Sequence, residues 1–307
     1  MFNDKLKIAI GFITICLIWG STWLVIRVGL NSLTPLIAVG LRFSTAASIV
    51  FLMFKSKGLA LQKDPLSIKL YIFLGFFSYL IPFGLVYWAE QYIPSGLTSI
   101  LFAVLPFGVI VFSKILMKDS VISLNQIIGV VLGFIGIVVI FSETLAMEFS
   151  GYILGMSAAL FAALIQAYVA VVIKKHGKHL NIMTMNFIPL LMTGVLMTLA
   201  GIIFENHSGW NFDLKAIGSI LYLAVFGTVI AFSVYYWLIK KMNLVILSLN
   251  SFISPIIAVI LGWMILSEKL SWQTLAGSIL VLIGVLFANL QRLKKSIVTK
   301  SSFSNND

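Results

Sequence analysis

Hydrophobic residues run along this chain in long, nearly uncharged stretches. Residues 8–26, for example, contain no charged side chain. A helix of about 20 apolar residues crosses ~30 Å of hydrocarbon, whereas barrel strands would be half as long and would alternate apolar with polar residues. The pattern predicts an all-α, polytopic membrane protein with ten transmembrane helices, at about 8–28, 34–54, 70–90, 95–117, 123–142, 151–173, 181–203, 216–239, 244–266 and 271–290.

The composition agrees with a membrane protein. Hydrophobic residues make up 60% of the chain and charged residues only 10%, far from the roughly one quarter charge of a soluble domain. The N-terminal apolar run is too long for a signal peptide and has no clear small-residue cleavage site, so it predicts an uncleaved first helix. The lone Cys16 excludes an intramolecular disulfide.

Basic residues explain the formal charge of +11 and also indicate orientation. On an alternating ten-helix path, nearly all of them fall on one side: Lys5, Lys7, Lys55, Lys57, Lys63, Lys69, Lys114, Lys118, Lys174, Lys175, Lys178, Lys240, Lys241, Arg292, Lys294, Lys295 and Lys300. The other side holds Glu90, Glu143, Glu148, Glu205, Asp213 and Glu268, with only Lys215 and Lys269 as basic residues. By the positive-inside rule, both termini are predicted to be cytoplasmic.

The same distribution bears on partners and cofactors. The lysines are dispersed over short loops, which is not typical of a nucleic-acid-binding surface. The loop KKHGKH, residues 174–179, has no acid or cysteine close to its histidines, so it is interpreted as a solvated, headgroup-facing loop rather than a metal site. We therefore predict no metal, no cofactor and no nucleic acid, and expect the lipid bilayer and a small-molecule substrate as partners.

The chain repeats itself at an offset of 149 residues. Phe83, Tyr87, Trp88, Ser99, Pro106 and Asp119 match Phe232, Tyr236, Trp237, Ser248, Pro255 and Glu268, and after a one-residue gap Gly129 and Gly136 match Gly277 and Gly284. Each half contains five predicted helices, an odd number, so the second half enters the membrane from the opposite side. The predicted units are 1–145, 146–291 and a basic cytoplasmic tail, 292–307, which we expect to be disordered.

Inverted repeats are typical of secondary transporters, in which two related halves exchange conformations around a substrate near the midplane. Trp19, Trp23 and Arg27 are spaced four apart and form one stripe of the first helix, which also carries Ser21 in the step Gly-Ser-Thr. We interpret this stripe as a candidate wall of the transport path. Interhelical packing for Trp19, an interfacial position for Trp23 and snorkelling for Arg27 are the alternatives.

Arg42 lies about a third of the way into the second helix. A charge in hydrocarbon costs at least ~2.5 to 3.5 kcal/mol on insertion scales, so something must hydrate or pair it. Two interpretations are open: the arginine binds an anionic group, directly or through water, or it has a structural role, capping a broken helix or bonding to neighbouring carbonyls.

Further polar and aromatic positions suit a substrate cavity: Tyr79, Tyr87, Trp88, Ser99, Gln166, Asn186, Tyr235, Tyr236, Asn250, Ser251 and Ser254. For each serine, a bond to its own helix is the simpler interpretation. Pro106 and Pro255, at equivalent depths in the fourth and ninth helices, are each expected to free a carbonyl and kink the helix. This pair is a candidate gate.

The fifth and tenth helices contain glycines and aliphatic residues but almost nothing polar. Gly129, Gly133 and Gly136, with Gly277 and Gly284, suit tight contact between helices. These two helices are predicted to be peripheral supports or part of a homodimer contact.

Among function classes, an enzyme lacks support because no nucleophile, metal cluster or acid pair gathers at one membrane face. No acid or histidine lies deep in a predicted helix, which disfavours exchange of protons for lipophilic cations. The leading prediction is a secondary transporter, without ATP, that exports a small polar metabolite such as an amino acid or derivative. A drug or toxic-compound efflux carrier is the alternative. A channel or an integral membrane enzyme is less favoured than either carrier.

Several motifs resemble the EamA family of the drug/metabolite transporter superfamily: WGSTW followed by a basic residue, TPLIAVGLRF, the acid after the fourth helix, and SPIIAVILGWMILSEKLSWQTLAGSILVLIGV. The resemblance spans nearly the whole chain, although MKDS in the first half departs from the pattern. It implies a ten-helix, inverted-repeat transporter of the plasma membrane, with a central cavity formed by helices 1 to 4 and 6 to 9. It also implies export of amino acids or related metabolites, without naming one.

Overall fold

The computed structural model describes residues 4–117, 123–145, 151–177, 179–241, 247 and 250–304. Every regular element in these ranges is helical. In chain order the α-helices are α1 Asp4–Gly29, α2 Pro35–Ser56, α3 Pro65–Leu74, α4 Ile81–Ala89, α5 Ser95–Phe102, α6 Leu105–Leu116, α7 Leu124–Leu145, α8 Gly151–His176, α9 Ile182–Phe204, α10 Leu214–Ala224, α11 Ala231–Lys241, α12 Asn250–Leu266 and α13 Trp272–Ser304.

Two π-helical segments join consecutive α-helices into continuous rods. Gly75–Leu80 connects α3 to α4, and Val225–Ile230 connects α10 to α11. Within the residues described above, and counted as rods, eight helices are long and apolar enough to cross a membrane, and Asn250–Leu266 and Trp272–Ala288 are shorter apolar helices. The protein is therefore a multi-pass, all-helical membrane protein.

The helices begin where the sequence supplies local signals. Pro35 occupies the first turn of α2, where a missing N–H costs nothing. Asp64 precedes α3 and accepts a hydrogen bond from the backbone N–H of Ser67, and Asp213 does the same for α10 through Ala216. These two caps are 149 positions apart.

The two prolines of the predicted gate behave differently. Pro106 lies in the first turn of α6, directly after the break between Phe102 and Leu105, so the fourth rod is interrupted there. Pro255 lies inside α12, which continues without a break from Asn250 to Leu266. The sequence predicted a kink at both positions, and an interruption of the helix is present only at Pro106.

Glycines allow two pairs of helices to pack closely. A Cβ atom at Gly40 of α2 would lie 2.5 Å from the backbone nitrogen of Thr198 in α9. Gly129 and Gly136 of α7 approach Gly284 and Gly277 of α13, where an added Cβ would meet backbone oxygens at 2.5 and 2.6 Å. The glycines of the fifth and tenth predicted helices thus pack two helices of the same chain against each other.

The C-terminal tail differs from the prediction. Helix α13 continues to Ser304, so most of the segment 292–307 that was expected to be disordered is helical. No glycine or proline follows Gly284 to stop the helix. Lys118, Asp119, Glu148 and Lys178 lie outside the described residues, as does the side chain of Tyr236.

The connections between rods gather at two ends of the bundle. At the end that we call lysine-rich, the connection 57–64 meets the connection 177–181: the side chain of Gln62 bonds to the carbonyl of His179 and the N–H of Asn181. At the acidic end, the backbone N–H of Asn211 bonds to the carbonyl of Ser32, and Glu268 bonds to Ser95. These groupings follow the alternation of charge along the chain.

Candidate functional site

A cavity of about 580 Å³ enters the bundle from the lysine-rich end. Lys57, Leu59, Leu180 and Asn181 lie at that end of the cavity, since they belong to the connections there or adjoin them. The deeper walls come from α2, α9, both π-helical segments and α11: Val50, Met53, Tyr79, Asn186, Leu190, Thr228, Val229, Phe232, Ser233 and Trp237.

The π-helical segments position two polar groups of the cavity. Tyr79 lies in Gly75–Leu80, and its hydroxyl donates a hydrogen bond to Oδ1 of Asn186 at 2.9 Å. Thr228 lies in Val225–Ile230, 149 positions later. A π-helical turn inserts an extra residue and is frequent at functional sites. Equivalent positions in two such segments therefore supply polar groups to one cavity.

Arg42 lies behind Thr228, at the inner end of the cavity. It is 2% exposed, and its Nε and Nη1 donate to the hydroxyls of Thr228 and Tyr87, each at 3.3 Å. Its guanidinium carbon also lies 4.9 Å from the ring centroid of Phe83, a cation–π contact. Both hydrogen-bond acceptors are neutral hydroxyls, so the arginine joins α2, α4 and the second π-helical segment without its charge being neutralised by a bonded acid.

The stripe on α1 divides along its length. Trp19 packs against Phe232 and Tyr235, with ring centroids 5.6 and 5.2 Å away, whereas Trp23 packs against Phe102 of α5 at 5.3 Å. Arg27 reaches a different cavity, at the acidic end. Phe232 and not Trp19 lines the cavity at the lysine-rich end.

The Gly-Ser-Thr step of α1 lets other helices approach closely. A Cβ atom at Gly20 would lie 2.7 Å from Ile257 of α12. The Ser21 hydroxyl lies 2.7 Å from the hydroxyl of Tyr222 in α10. Thr22 bonds to the carbonyl of Trp19 and packs against Gly227. The step therefore brings α10, α12 and the second π-helical segment against α1.

The remaining predicted site residues lie away from the cavity walls. Gln166 bonds to Ser78, Asn250 accepts a bond from Ser254, and Ser99 bonds to the carbonyl of Gly96 in its own helix. Trp88 packs against Tyr92. Ser251 is half-buried on α12. The polar or aromatic character of these residues, on which their prediction as cavity residues rested, does not indicate which face of a helix they occupy.

Several cavity residues were missed by the sequence analysis, namely Thr228, Phe232, Ser233, Trp237 and Lys57. A threonine in an apolar helix is usually bonded to its own backbone, and Thr228 also makes that bond, to the carbonyl of Leu223. The internal repeat contained the missing signal, because Tyr79 and Phe83 correspond to Thr228 and Phe232.

At the acidic end, carboxylates bond to the first turns of two helices. Glu268 accepts hydrogen bonds from the backbone N–H groups of Ser95 and Gly96 and from the Ser95 hydroxyl, at 2.9, 3.2 and 3.1 Å. Glu205 accepts from the N–H groups of Leu36 and Ile37 and from the Thr34 hydroxyl. A negative charge is stabilised by the dipole and the unpaired N–H groups of a helix N-terminus.

A second cavity, of about 460 Å³, lies at this acidic end. Its walls are Arg27, Asn31, Tyr92, Ile93, Pro94, Tyr152, Leu266 and Glu268. Among the described residues, none lines both cavities. Arg42 bonds to Tyr87 of α4 and Trp23 packs against Phe102 of α5, two helices that line neither cavity.

A comparison with known families identifies this architecture. The model of the EamA-like transporter family matches residues 6–142 and again residues 153–290. The chain belongs to the EamA-like transporter family. It is a membrane transporter, and its relatives are named as transporters rather than enzymes.

The relatives of this EamA-like chain align with it over most of their length. The uncharacterized transporter YoaV of Bacillus subtilis is 28% identical over 281 residues, covering 91% of this chain and 95% of YoaV. Protein PagO of Salmonella typhimurium is 29% identical, covering 94% of each. The uncharacterized inner membrane transporter YedA of Escherichia coli is 27% identical, covering 88% of this chain and 86% of YedA.

A solved protein structure shares the fold of the EamA-like chain. It superposes with a TM-score of 0.66 at 18% sequence identity, and the alignment covers 94% of this chain and 98% of the other. At this identity, the similarity concerns the fold alone.

Proposed function

We propose that this transporter is a secondary carrier that moves a small polar metabolite, such as an amino acid or a derivative, out of the cell by alternating access. The observation that carries the proposal is the cavity of about 580 Å³, open at the lysine-rich end and ending at polar groups deep in the bundle. Tyr79, Asn186 and Thr228 place polar side chains in its lining. Small-molecule sites typically combine apolar walls with a few convergent polar groups.

The charges around this cavity favour a neutral, zwitterionic or anionic substrate. Lys57 lies near its mouth and Arg42 lies behind Thr228, and its lining contains no acidic side chain. A lipophilic cation would meet positive charge at both ends without a carboxylate to pair with. This supports a metabolite carrier over a drug-efflux carrier.

We further propose that the chain forms two inverted repeats of five membrane-crossing helices. The family model matches twice, and the π-helical segments recur at corresponding positions in the two matches. Gly129 meets Gly284 while Gly136 meets Gly277, the reciprocal pairing that a two-fold relation between the halves would produce. If the two shorter apolar helices also cross the membrane, they and the eight long helices make the ten crossings of this proposal.

The lysine-rich end is proposed to face the cytoplasm, with both termini on that side of the plasma membrane. Lysines concentrate in the connections at that end, as the positive-inside rule requires. The cavity would then be open to the cytoplasm, the side from which an exported metabolite is taken up. The name of YedA as an inner membrane transporter supports the same location.

Counterflow into liposomes that contain the purified protein tests the proposed function. Liposomes loaded with one candidate metabolite should accumulate the same labelled metabolite above its equilibrium level, which a carrier achieves and a channel does not. Amino acids and their derivatives are expected to accumulate in this way, and lipophilic cations are not. Accumulation of lipophilic cations alone, or flux without counterflow, would overturn the proposal.

A further inference from the structure

Glu90 is a buried acid that has no role in the proposed substrate site. It follows the last residue of α4 at the acidic end, and its side chain is 0% exposed. Neither of its carboxyl oxygens has a hydrogen-bond partner among the described residues. Glu205 and Glu268, the other two acids discussed at this end, each accept three hydrogen bonds. Glu90 thus differs from them in lacking donors.

Charged groups from three other elements act on Glu90. Arg27 of α1 and Arg42 of α2 attract a negative charge there, and Glu268, in the connection after α12, repels one. Tyr87 lies one turn earlier on the same helix. The adjoining part of α8, where Gly155 approaches the carbonyl of Ala89, carries no charged residue. Glu90 forms no ion pair with either arginine in the described part of the chain.

Burial without donors penalises the ionised form of a carboxylic acid. Withdrawal of an ion from water is strongly unfavourable, and no described residue donates a hydrogen bond that would offset this penalty at Glu90. The two arginines lower the cost from a distance, but a nearby ionised Glu268 raises it. The neutral acid is therefore favoured while the acidic end is closed.

Opening of the acidic end would change this balance. The cavity of about 460 Å³ is already lined by Arg27 and Glu268, two of the charged groups that act on Glu90. Separation of Glu268 from the first turn of α5 would extend this space toward the end of α4, because Ser95 is five residues from Glu90. Water at that position would hydrate the carboxylate and favour its ionised form.

We propose that Glu90 is a proton-binding site that holds a proton while the acidic end is closed and releases it to that side when the end opens. The inference rests on the alternating access of the proposed function but not on the identity of the substrate. A proton bound in one state alone shifts the ratio of the two states by up to about tenfold per pH unit. Acid then favours the form with the cavity open at the lysine-rich end, and alkali favours the opposite form.

The test measures how readily the acidic end opens at different pH values. Ile93 lines the acidic-end cavity yet is 1% exposed, so a cysteine at this position reports opening. The full chain, carrying Cys16→Ser and Ile93→Cys, is placed in nanodiscs, and its rate of reaction with a charged thiol reagent is measured over a pH series. The same rates are measured with Glu90→Gln added, which cancels the intrinsic pH dependence of the thiol.

The rate with Glu90 present, divided by the rate with Glu90→Gln, is expected to rise at least about fivefold between pH 6 and 8. The limit for one proton is about tenfold per pH unit. The Glu90→Gln protein should remain in the closed form throughout, because its amide cannot ionise. Glu268→Gln serves as a control for opening: it should increase the rate at every pH, and the pH dependence should persist but move to lower pH, because the charge that repels an ionised Glu90 is removed. A ratio that does not change with pH would overturn the proposal.

Infrared absorption provides a second measurement that needs no substitution. The unmodified protein at neutral pH should show the carbonyl band of a protonated carboxylic acid, and Glu90→Asp should shift this band. Absence of the band would refute the proton site even if Glu90→Gln failed to fold. If no metabolite is transported but opening depends on pH as described, the proposed function fails and the proton site stands. If a metabolite is transported but opening does not depend on pH, the proton site is wrong and the proposed function stands.

Discussion

The two ends of the bundle are built from similar helices but differ in how they are joined. At the acidic end, the carboxylates of Glu205 and Glu268 each bridge from the end of one helix to the first turn of another. At the lysine-rich end, Gln62 links two connections at the exposed surface, and the cavity enters beside Lys57. A carboxylate finds several donors at a helix N-terminus, whereas a lysine finds no comparable partner there. The end at which side chains bridge from one helix to the next is thus the end that has the acids.

The two bridging carboxylates also differ from each other. Glu205 joins α9 to α2, and these helices pack closely along their length, as Gly40 against Thr198 and Gly194 against Ser44 demonstrate. Glu268 joins the connection after α12 to α5, beside the acidic-end cavity. We infer that the Glu205 bridge supports a pair of helices that stay together and that the Glu268 bridge is the one that breaks when the end opens.

The largest effect is expected from Arg42→Ala, which removes the residue that joins three elements between the ends. Two charge-assisted hydrogen bonds are lost, each contributing about 1.5 to 3 kcal/mol, so counterflow of the transported metabolite should fall at least about a hundredfold. The amount of folded protein, measured by size-exclusion chromatography, should be unchanged. Arg27→Ala, at the acidic-end cavity, is the matched control and should have a smaller effect. Equal rates for Arg42→Ala and the native protein would remove the proposed role.

Glu268→Ala is expected to make the acidic end resemble the lysine-rich end. Loss of its bonds to Ser95 and Gly96 should shift the balance by about 1.5 kcal/mol or more, which corresponds to at least about a tenfold faster reaction of a cysteine at Ile93. Glu205→Ala should leave that rate nearly unchanged. If both substitutions increased the rate equally, the distinction between the two bridges would be wrong.

Glu205→Ala should instead lower the thermal stability of the protein. The loss of a cap at the start of α2 costs about 1 kcal/mol, or about 2 °C in apparent Tm for a chain of this size. Thr34→Val, which removes only the hydroxyl bonded to Glu205, should give a smaller decrease. Unfolding followed by the fluorescence of the tryptophans measures both changes, and an unaltered Tm for Glu205→Ala would contradict the interpretation.

The smallest effect is expected at two aspartates that cap helices, one at each end of the bundle. Hydrogen bonds from the side chain and backbone of Ser67 lower the pKa of Asp64, and the backbone N–H of Ala216 lowers the pKa of Asp213. A lowered pKa in the folded state contributes stability above the ordinary pKa of an aspartate, and that contribution is lost as the pH falls through the lowered value.

Asp64→Asn and Asp213→Asn should therefore each flatten the decrease of Tm on acidification by a similar, small amount, because both groups are solvent-exposed and an asparagine keeps the cap. Thermal unfolding at a series of acidic pH values provides the measurement. A large effect at only one of the two positions would show that the two ends do not share this feature.

Much of the fold was predictable because it depends on local sequence. The apolar stretches, the cap residues Asp64 and Asp213, and the break before Pro106 all act within a few residues of where they occur. The paired glycines were predicted to lie at contacts between helices, but the sequence did not indicate which helix each of them contacts. Helicity of the tail was missed because net charge was taken to indicate disorder, although no residue after Gly284 interrupts a helix.

The site was less predictable. Arg42, Tyr79 and Asn186, which were selected because each is costly to bury in an apolar helix, lie at or beside one cavity. Gln166, Ser99 and Asn250 were selected on the same ground but bond to neighbours elsewhere. The identity of a residue indicates the cost of burying it, and the partner that offsets the cost comes from another part of the chain.

The sequence by itself determined that the chain crosses the membrane many times, which of its connections carry lysines or acids, and that its halves correspond. Only the tertiary structure decided which side chains line each cavity. It brought Glu268 to the first turn of α5, 173 positions away, and left Glu90 without a donor among the residues that the structure describes. Such contacts depend on how helices pack against one another, and the apolar composition of those helices is compatible with many packings.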